Sequence, residues 1–406
     1  MNPFLIRSRQ AFLKGVALFA PFKVPEKYVG EGSINEINHI LLHKDNQVHN
    51  CLIVTGPRII KTNLIGPLTD NLNRNGIEYS FFNNIQNNPT KDNVEEGALI
   101  YKERNCEGII AIGGGSVIDT AKCILARVSN PKTPLENMKG MFKIKNKLPL
   151  LVAIPTTCGS GSESTFSAVI LDEKNNEKYI ITDFKLLPKY IILDPNLLIS
   201  LDNDNLAYSG MDALCHAIEA FVSRSSSSNS NKYAIEAIKL INSNLEIIST
   251  KDGRKNLKAC ENMLIASHYA GLAVSRAYVG YIHAIAHALG GKYNLSHGYL
   301  NAILMPIVLE AYGNKAIRKL AILADEITYL FDDKEENKAK WMIDRIRHLN
   351  TYLGIKNDLG KYIKDEDIDA IAMKAYDEVT PLYPVPKLFT IEEIKDIINT
   401  VKKQSI

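Results

Sequence analysis

Along the first half of the chain, short apolar runs alternate with stretches in which apolar positions recur every three or four residues. CLIVT (Cys51–Thr55) reads as a buried strand closed by Gly56-Pro57, and GIIAI (Gly108–Ile112) as a second, running straight into Gly113-Gly114-Gly115. PLLVAI (Pro149–Ile154) is a third, and Ile191–Leu193, ending at Asp194-Pro195, a fourth. Between them, Asp92–Arg104 has helical spacing with Asp92 as an N-cap candidate. Val117, Ile118, Ala121, Ile124, Leu125 and Val128 mark one face of another helix. Apolar strands alternating with amphipathic helices imply a parallel sheet covered on both faces.

After about Leu206 the pattern changes. Helical periods follow one another at Met211–Phe221, Lys232–Ile248, Ala259–Tyr269, Tyr278–Leu289 and Lys315–Leu330, with few β-branched runs bounded by turn residues. The expectation is an α/β domain over 1–205 and an all-helical domain over 206–406. Ser223–Asn231 (SRSSSSNSN) reads as a flexible polar loop between helices.

Composition narrows the classes. A chain of 406 residues exceeds one ordinary core at roughly 150 residues per domain. Lys+Arg 48 against Asp+Glu 45 gives a net charge of +3, and no block of like charge suggests a nucleic-acid partner. The six cysteines are scattered without CxxC spacing, as expected of a reduced, cytoplasmic protein. Met1–Ala20, with AFLKGVALFA, faintly resembles a secretory signal, but Lys14 breaks the apolar run and no A-x-A-type site follows. No uncharged apolar run elsewhere reaches the roughly 18 residues that a membrane span needs.

Two loops carry candidate cofactor chemistry. Gly113-Gly114-Gly115-Ser116 joins a buried strand to a helix. Glycine lets the backbone approach a phosphate, and the helix start offers free N–H groups. It is neither G-x-G-x-x-G nor a P-loop. Pro155-Thr156-Thr157-Cys158-Gly159-Ser160-Gly161-Ser162-Glu163 follows the third strand and is rich in hydroxyls. Two such loops, each closing a strand of one sheet, point to a shared nucleotide site.

A second constellation lies in the helical half. Asp212 and His216 are four apart, as are His283 and His287, and His297 follows, in a chain with nine histidines. Spacing of four puts each pair on one helix face. Imidazoles on apolar helices need partners, and a bound cation provides one. HAIAH lacks the Glu of HExxH, which argues against a zinc peptidase. Oxygen and imidazole donors suit Fe²⁺, Zn²⁺ or Mn²⁺.

Together Tyr28-Val29-Gly30-Glu31-Gly32, GGGSVIDTAK, PTTCGSGSE, LLPKYIILDP, GMDALCHAIEA and HAIAHALGGKYNLSHG resemble, in order and spacing, the iron-containing (group III) alcohol dehydrogenase family over nearly the whole chain. The resemblance implies an α/β dinucleotide-binding domain plus an all-α domain, the dehydroquinate synthase-like architecture. It also implies Asp212, His216, His283 and His297 as ligands of Fe²⁺, with Zn²⁺ an alternative. His287 is then the catalytic histidine near the nicotinamide and substrate. Gly114, Gly115 and Ser116 match the pyrophosphate loop, with Asp119 close by. Thr156, Thr157 and Ser160 match cofactor contacts, and Lys178 a ribose contact. Three positions depart: Ser160 stands where Thr is usual, Ser164 where Val is usual, and Gly56 where NAD-preferring members carry Asp. Gly56 removes a charge that repels a 2′-phosphate, so NADP(H) is expected beside NAD(H), near Arg58 or Lys61. The expected substrate is a small aldehyde or alcohol, and the expected assembly a homodimer or larger. The alternatives of the same fold are a zinc polyol dehydrogenase and a non-redox synthase. A metal phosphohydrolase would not need the second hydroxyl loop, and a nucleotide-binding regulatory protein would tolerate loss of His283.

Overall fold

The computed structural model describes residues 4–8, 10, 23–62, 64–86, 89–172, 177–329 and 334–405. Most of the signal-like stretch, including Ala11–Ala20, lies outside the described residues. The chain forms two compact units. One comprises Val24–Asp202 with Arg254–His268, and the other Met1–Lys23, Asn203–Gly253 and Tyr269–Ile406.

Among the described residues the first unit has nine strands: β1 (Glu26–Val29), β2 (Asn50–Thr55), β3 (Glu78–Phe82), β4 (Gly108–Gly113), β5 (Gly140–Met141), β6 (Leu150–Pro155), β7 (Ser167–Asp172), β8 (Glu177–Thr182) and β9 (Tyr190–Leu193). Six of them form one parallel sheet in the order β1-β9-β6-β4-β2-β3. Residues of both parities are buried in β2 and β4, because helices cover both faces. Cys51, Ile53, Ile110, Ile112, Val152 and Ile154 share one core with Leu68 and Leu72 of the helix Gly66–Arg74. The chain leaves β2 for β3 on one side and then returns to β4 on the other. The carboxyl ends of β2 and β4 therefore flank the point where strand order reverses, the usual ligand crevice of an open α/β sheet. The weakly apolar strands β1 and β3 and the β7–β8 hairpin carried no clear periodic signal. β1 is an edge strand and mostly exposed.

The helices are α1 (Ile37–Leu41), α2 (Pro57–Lys61), α3 (Gly66–Arg74), α4 (Lys91–Glu103) and α5 (Gly115–Ser129), then α6 (Asn203–Val222), α7 (Ser228–Ile248), α8 (Leu257–Ala277), α9 (Tyr281–Tyr293), α10 (His297–Tyr312), α11 (Ile317–Ile327), α12 (Glu335–Tyr352), α13 (Ile368–Leu382) and α14 (Ile391–Lys403). Thr90, not Asp92, caps α4: its hydroxyl accepts the Asn93 N–H while the Asn93 side chain accepts the Thr90 N–H. Asp92 falls in the first turn, where its charge still complements the dipole. The serine-rich stretch is more ordered than its composition suggests. Ser227 caps α7 through a reciprocal bond with Ser230, so Ser228–Asn231 is helical. Lys319 Nζ ties down the preceding loop by donating to Phe221 O (2.8 Å), Ser223 O (2.7 Å) and Ser226 Oγ (2.8 Å). Leu330, the end of one expected helix, lies outside the described residues. Helix α6 is buried at every position from Gly210 to Val222, so its polar side chains face packed neighbours rather than water.

Candidate functional site

In the first unit both glycine and hydroxyl loops leave neighbouring strands at one level, since Gly113 of β4 is in register with Pro155 of β6. The Thr156 N–H donates to Gly113 O (3.0 Å) and holds the loops side by side. A Cβ at Gly114 would lie 3.3 Å from Thr157 Cγ2, and one at Gly115 would lie 2.8 Å from both Cβ and Oγ of Ser160. Glycine at 115 is therefore required by the close approach of the two loops. Gly114 is the N-cap residue of α5 and no side chain caps it, so the positive end of the helix dipole lies at this loop. Gly114, Gly115, Ser116, Thr157 and Ser160 are half-buried, and Thr156 is buried. Gly56 ends β2 beside this loop: a Cβ there would reach only Val117 Cγ2, at 3.9 Å.

Asp119 faces the protein. It accepts the Ser162 hydroxyl and the Val169 N–H (2.9 Å). Beside it, Lys122, fully buried, donates to Ser162 O (2.7 Å), Thr165 O (2.9 Å) and Ser167 O (2.8 Å). Burial pushes the Lys122 ammonium down and the Asp119 carboxyl up, and each holds the other charged. The ring of oxygens around Nζ favours the ammonium. Together they bind the hydroxyl loop to α5. Farther along, the Ser164 hydroxyl meets His268 Nδ1 at 2.6 Å, and burial pushes His268 down to about 3. Glu163 is buried, and burial pushes it up to about 7. Lys178 lies half-buried on β8, opposite Leu171 in the hairpin.

The second unit gathers the carboxylate and the histidines. Asp212 Oδ1 lies 3.9 Å from His283 Nε2 and 3.7 Å from His297 Nε2, and the three donors fall within 4.8 Å of one another. His216 is on the flank, its ring centroid 4.5 Å from that of His283. Its buried Nδ1 has no hydrogen-bond partner among the described residues. His287 stacks on His297 with centroids 4.9 Å apart and an interplanar angle of 18°.

Glu219 sets the polarity of this cluster. It lies on the same face of α6 as Asp212 and His216, and accepts the N–H groups of Gly280 (2.8 Å) and Ile282 (2.9 Å) at the start of α9. A Cβ at Gly280 would stand 2.8 Å from Glu219 Oε1, so the carboxylate needs glycine there. Glu219 Oε2 also lies 2.6 Å from His283 Nδ1. Because the carboxylate accepts, Nδ1 carries the proton and Nε2 turns its lone pair toward Asp212. Burial, and then the neighbouring His216, hold His283 well below the usual imidazole range, so it stays neutral. Burial pushes Glu219 itself up to about 7, against the pull of its two backbone donors.

The cluster fits a divalent cation. Asn301, one turn beyond His297, donates from Nδ2 to Asp212 Oδ1 (2.7 Å) and also lies 3.2 Å from His283 Nε2 and 3.1 Å from His297 Nε2. An amide has two protons for these three acceptors. Its own Oδ1 is buried without a partner among the described residues. Converging lone pairs around so few protons are what a cation satisfies. Cys215, Glu219 and His283 form another close trio, but Glu219 already binds Nδ1, and burial raises the Cys215 thiol well above its ordinary range. That side orients His283 rather than ligating.

Sequence reasoning passed over Glu219, Lys122, Asn301 and Glu378, which accepts from His287. The first three carried a signal: Glu219 and Lys122 are charged residues on apolar helices inside quoted motifs, and Asn301 is four residues after His297. Glu378 carried none, since only folding brings it to His287.

Two family models cover the chain, one described as iron-containing alcohol dehydrogenase over residues 25–195 and one as its C-terminal region over residues 206–401. Alcohol dehydrogenase 4 of Saccharomyces cerevisiae (strain YJM789) is 35% identical over 378 residues, 92% of this chain and 96% of that protein. The NAD-dependent methanol dehydrogenase of Bacillus methanolicus is 31% identical, covering 93% of this chain and 98% of that protein. A solved 1,3-propanediol oxidoreductase superposes with a TM-score of 0.89 at 30% identity, covering 94% of this chain and 99% of the other. The chain therefore belongs to the iron-containing alcohol dehydrogenase family and is an oxidoreductase of that class.

Proposed function

We propose that this chain transfers hydride reversibly between a nicotinamide dinucleotide and a small alcohol or aldehyde, with a divalent cation, Fe²⁺ or alternatively Zn²⁺, at Asp212, His216, His283 and His297. The convergence of Asp212 Oδ1, His283 Nε2 and His297 Nε2 on one point carries the reading. When bound, the cation supplies Lewis acidity toward the substrate oxygen, and the nicotinamide supplies the hydride. Asp212 contributes the negative charge of the donor set, and Glu219 keeps His283 Nε2 available. His287, against His297, is the catalytic histidine that carries the hydroxyl proton. Gly114, Gly115 and Ser116 at the start of α5 receive the pyrophosphate. Asp119 supports their loop, and Thr156, Thr157, Ser160 and Lys178 contact the rest of the cofactor.

Gly56 leaves open space, not a carboxylate, at the end of β2, with Arg58 and Lys61 on the following turn. NADP(H) is accordingly a cofactor beside NAD(H). Among the described residues β1 is an edge strand, which suits pairing with a second copy, and six buried cysteines that form no disulfide suit the cytoplasm. Among the described residues no helix is long and apolar enough to cross a membrane.

The test is absorbance of NADH and NADPH with a panel of small aldehydes, on protein stripped of metal and then given Fe²⁺ under nitrogen or Zn²⁺. Aldehyde-dependent oxidation restored by metal supports the reading. No turnover with either cofactor and any metal refutes it. A strong preference for NADH refutes the Gly56 argument alone.

A further inference from the structure

His287 is held by a partner far away in sequence. Its Nδ1 lies 2.8 Å from Glu378 Oε1 on α13. The same oxygen accepts the hydroxyl of Tyr383 at 2.8 Å. Tyr383 is buried, and burial together with Glu378 holds its phenol well above the ordinary range, so it is a donor. The His287 and Glu378 side chains are only 13% and 25% exposed. One oxygen thus takes two donors and is fixed from two directions. Nε2, on the far side of the His287 ring, makes no hydrogen bond among the described residues.

We propose that Glu378 is the positioning residue for His287. It holds the proton on Nδ1 and fixes the ring plane against His297, which leaves Nε2 as the free acceptor. Tyr383 locks Glu378 in turn. Glu378 itself does not touch the substrate. A carboxylate that orients an imidazole through Nδ1–H is a recurring catalytic device. The inference rests on the catalytic reading of His287. It assigns to Glu378 a role separate from that of Glu219, which orients His283 instead.

The experiment uses the metal-loaded full chain in E378A, E378Q, H287A and the double variant E378A/H287A. Turnover is read with propionaldehyde or the fastest substrate of the panel, alongside metal content and thermal midpoint. E378A should lower kcat by about 10- to 100-fold, the usual range for loss of an orienting partner, with the cofactor KM and metal content unchanged. E378Q should stay within about threefold of the wild type, because Tyr383 donates and so turns the amide oxygen, not the NH₂, toward Nδ1. In the H287A background, E378A should cost nothing further, since residues that act as a unit are not additive. Long-range ¹H–¹⁵N spectra of histidine-labelled apoprotein should show the Nδ1–H tautomer of His287, lost in E378A. If H287A is impaired while E378A keeps full kcat, or if the E378A loss persists without His287, the proposal is overturned alone. A fully active H287A overturns the reading of His287 and this proposal with it.

Discussion

Lys122→Met tests whether the cofactor loops depend on one buried ammonium. Methionine keeps most of the aliphatic stem and removes the charge. Asp119 Oδ1, 3.8 Å from Nζ, loses its counter-ion, and the carbonyls of Ser162, Thr165 and Ser167 lose a donor at 2.7–2.9 Å. Breaking a buried pair costs about 3–5 kcal/mol, and an unsatisfied buried polar group about 1–3 kcal/mol. Ser162 O and Ser167 O retain weaker bonds from Thr165 at 3.3 Å, and Asp119 retains the Ser162 hydroxyl and the Val169 N–H. The net loss is therefore about 4 kcal/mol rather than the full sum. For a unit of roughly 200 residues this lowers the melting point by about 8–16 °C. The hydroxyl loop also loses its tie to α5, so the cofactor KM rises about tenfold, equivalent to about 1.4 kcal/mol, while metal affinity is unchanged. Differential scanning calorimetry and initial rates at varied cofactor measure both effects. A melting point within 2 °C of the wild type (about 1 kcal/mol or less), together with an unchanged cofactor KM, would refute the reasoning.

Three further expectations follow from the same geometry. Gly115→Ala places a Cβ 2.8 Å from Ser160 and forces the loops apart; the cofactor KM should rise about tenfold with little change in metal binding, and an unchanged KM would show that the close approach is dispensable. Glu219→Ala removes the acceptor for His283 Nδ1–H and for two backbone N–H groups, so calorimetric titration should show metal affinity down about 10- to 100-fold. Wild-type affinity in a folded variant would remove Glu219 from the account. The buried His268 stays neutral in the folded protein down to about pH 3, whereas an unfolded histidine binds its proton near 6.5. The unfolded state therefore takes up more protons below pH 6.5, and stability falls as pH drops from 6.5 toward 3, by about 2 kcal/mol at pH 5. His268→Gln should flatten the change in melting point between pH 7 and pH 5, and equal slopes in the two proteins would contradict the assignment.

Local patterns were enough to reveal much of the scaffold. The buried strands β2, β4, β6 and β9 are apolar runs, and their covering on both faces follows from the absence of an exposed polar stripe. The glycine and hydroxyl loops, and the paired Asp212/His216 and His283/His287, are legible because their spacing matches strand ends and helix faces. The sequence pointed to Asp92 as the cap of α4 and to a loop over Ser223–Asn231, because reciprocal side-chain bonds at Thr90 and Ser227, not the nearest acidic or polar residue, decide where these helices begin. Arg254–His268 joins the first unit although it lies within the helical half of the sequence, and no local period records that. Tertiary structure alone brought Glu219 to a histidine 64 residues away and Glu378 to one 91 residues away. A helix face shows that a side chain is buried among apolar neighbours. Which lone pair meets which proton depends on packing between helices distant in sequence, and that is settled only when the chain is folded.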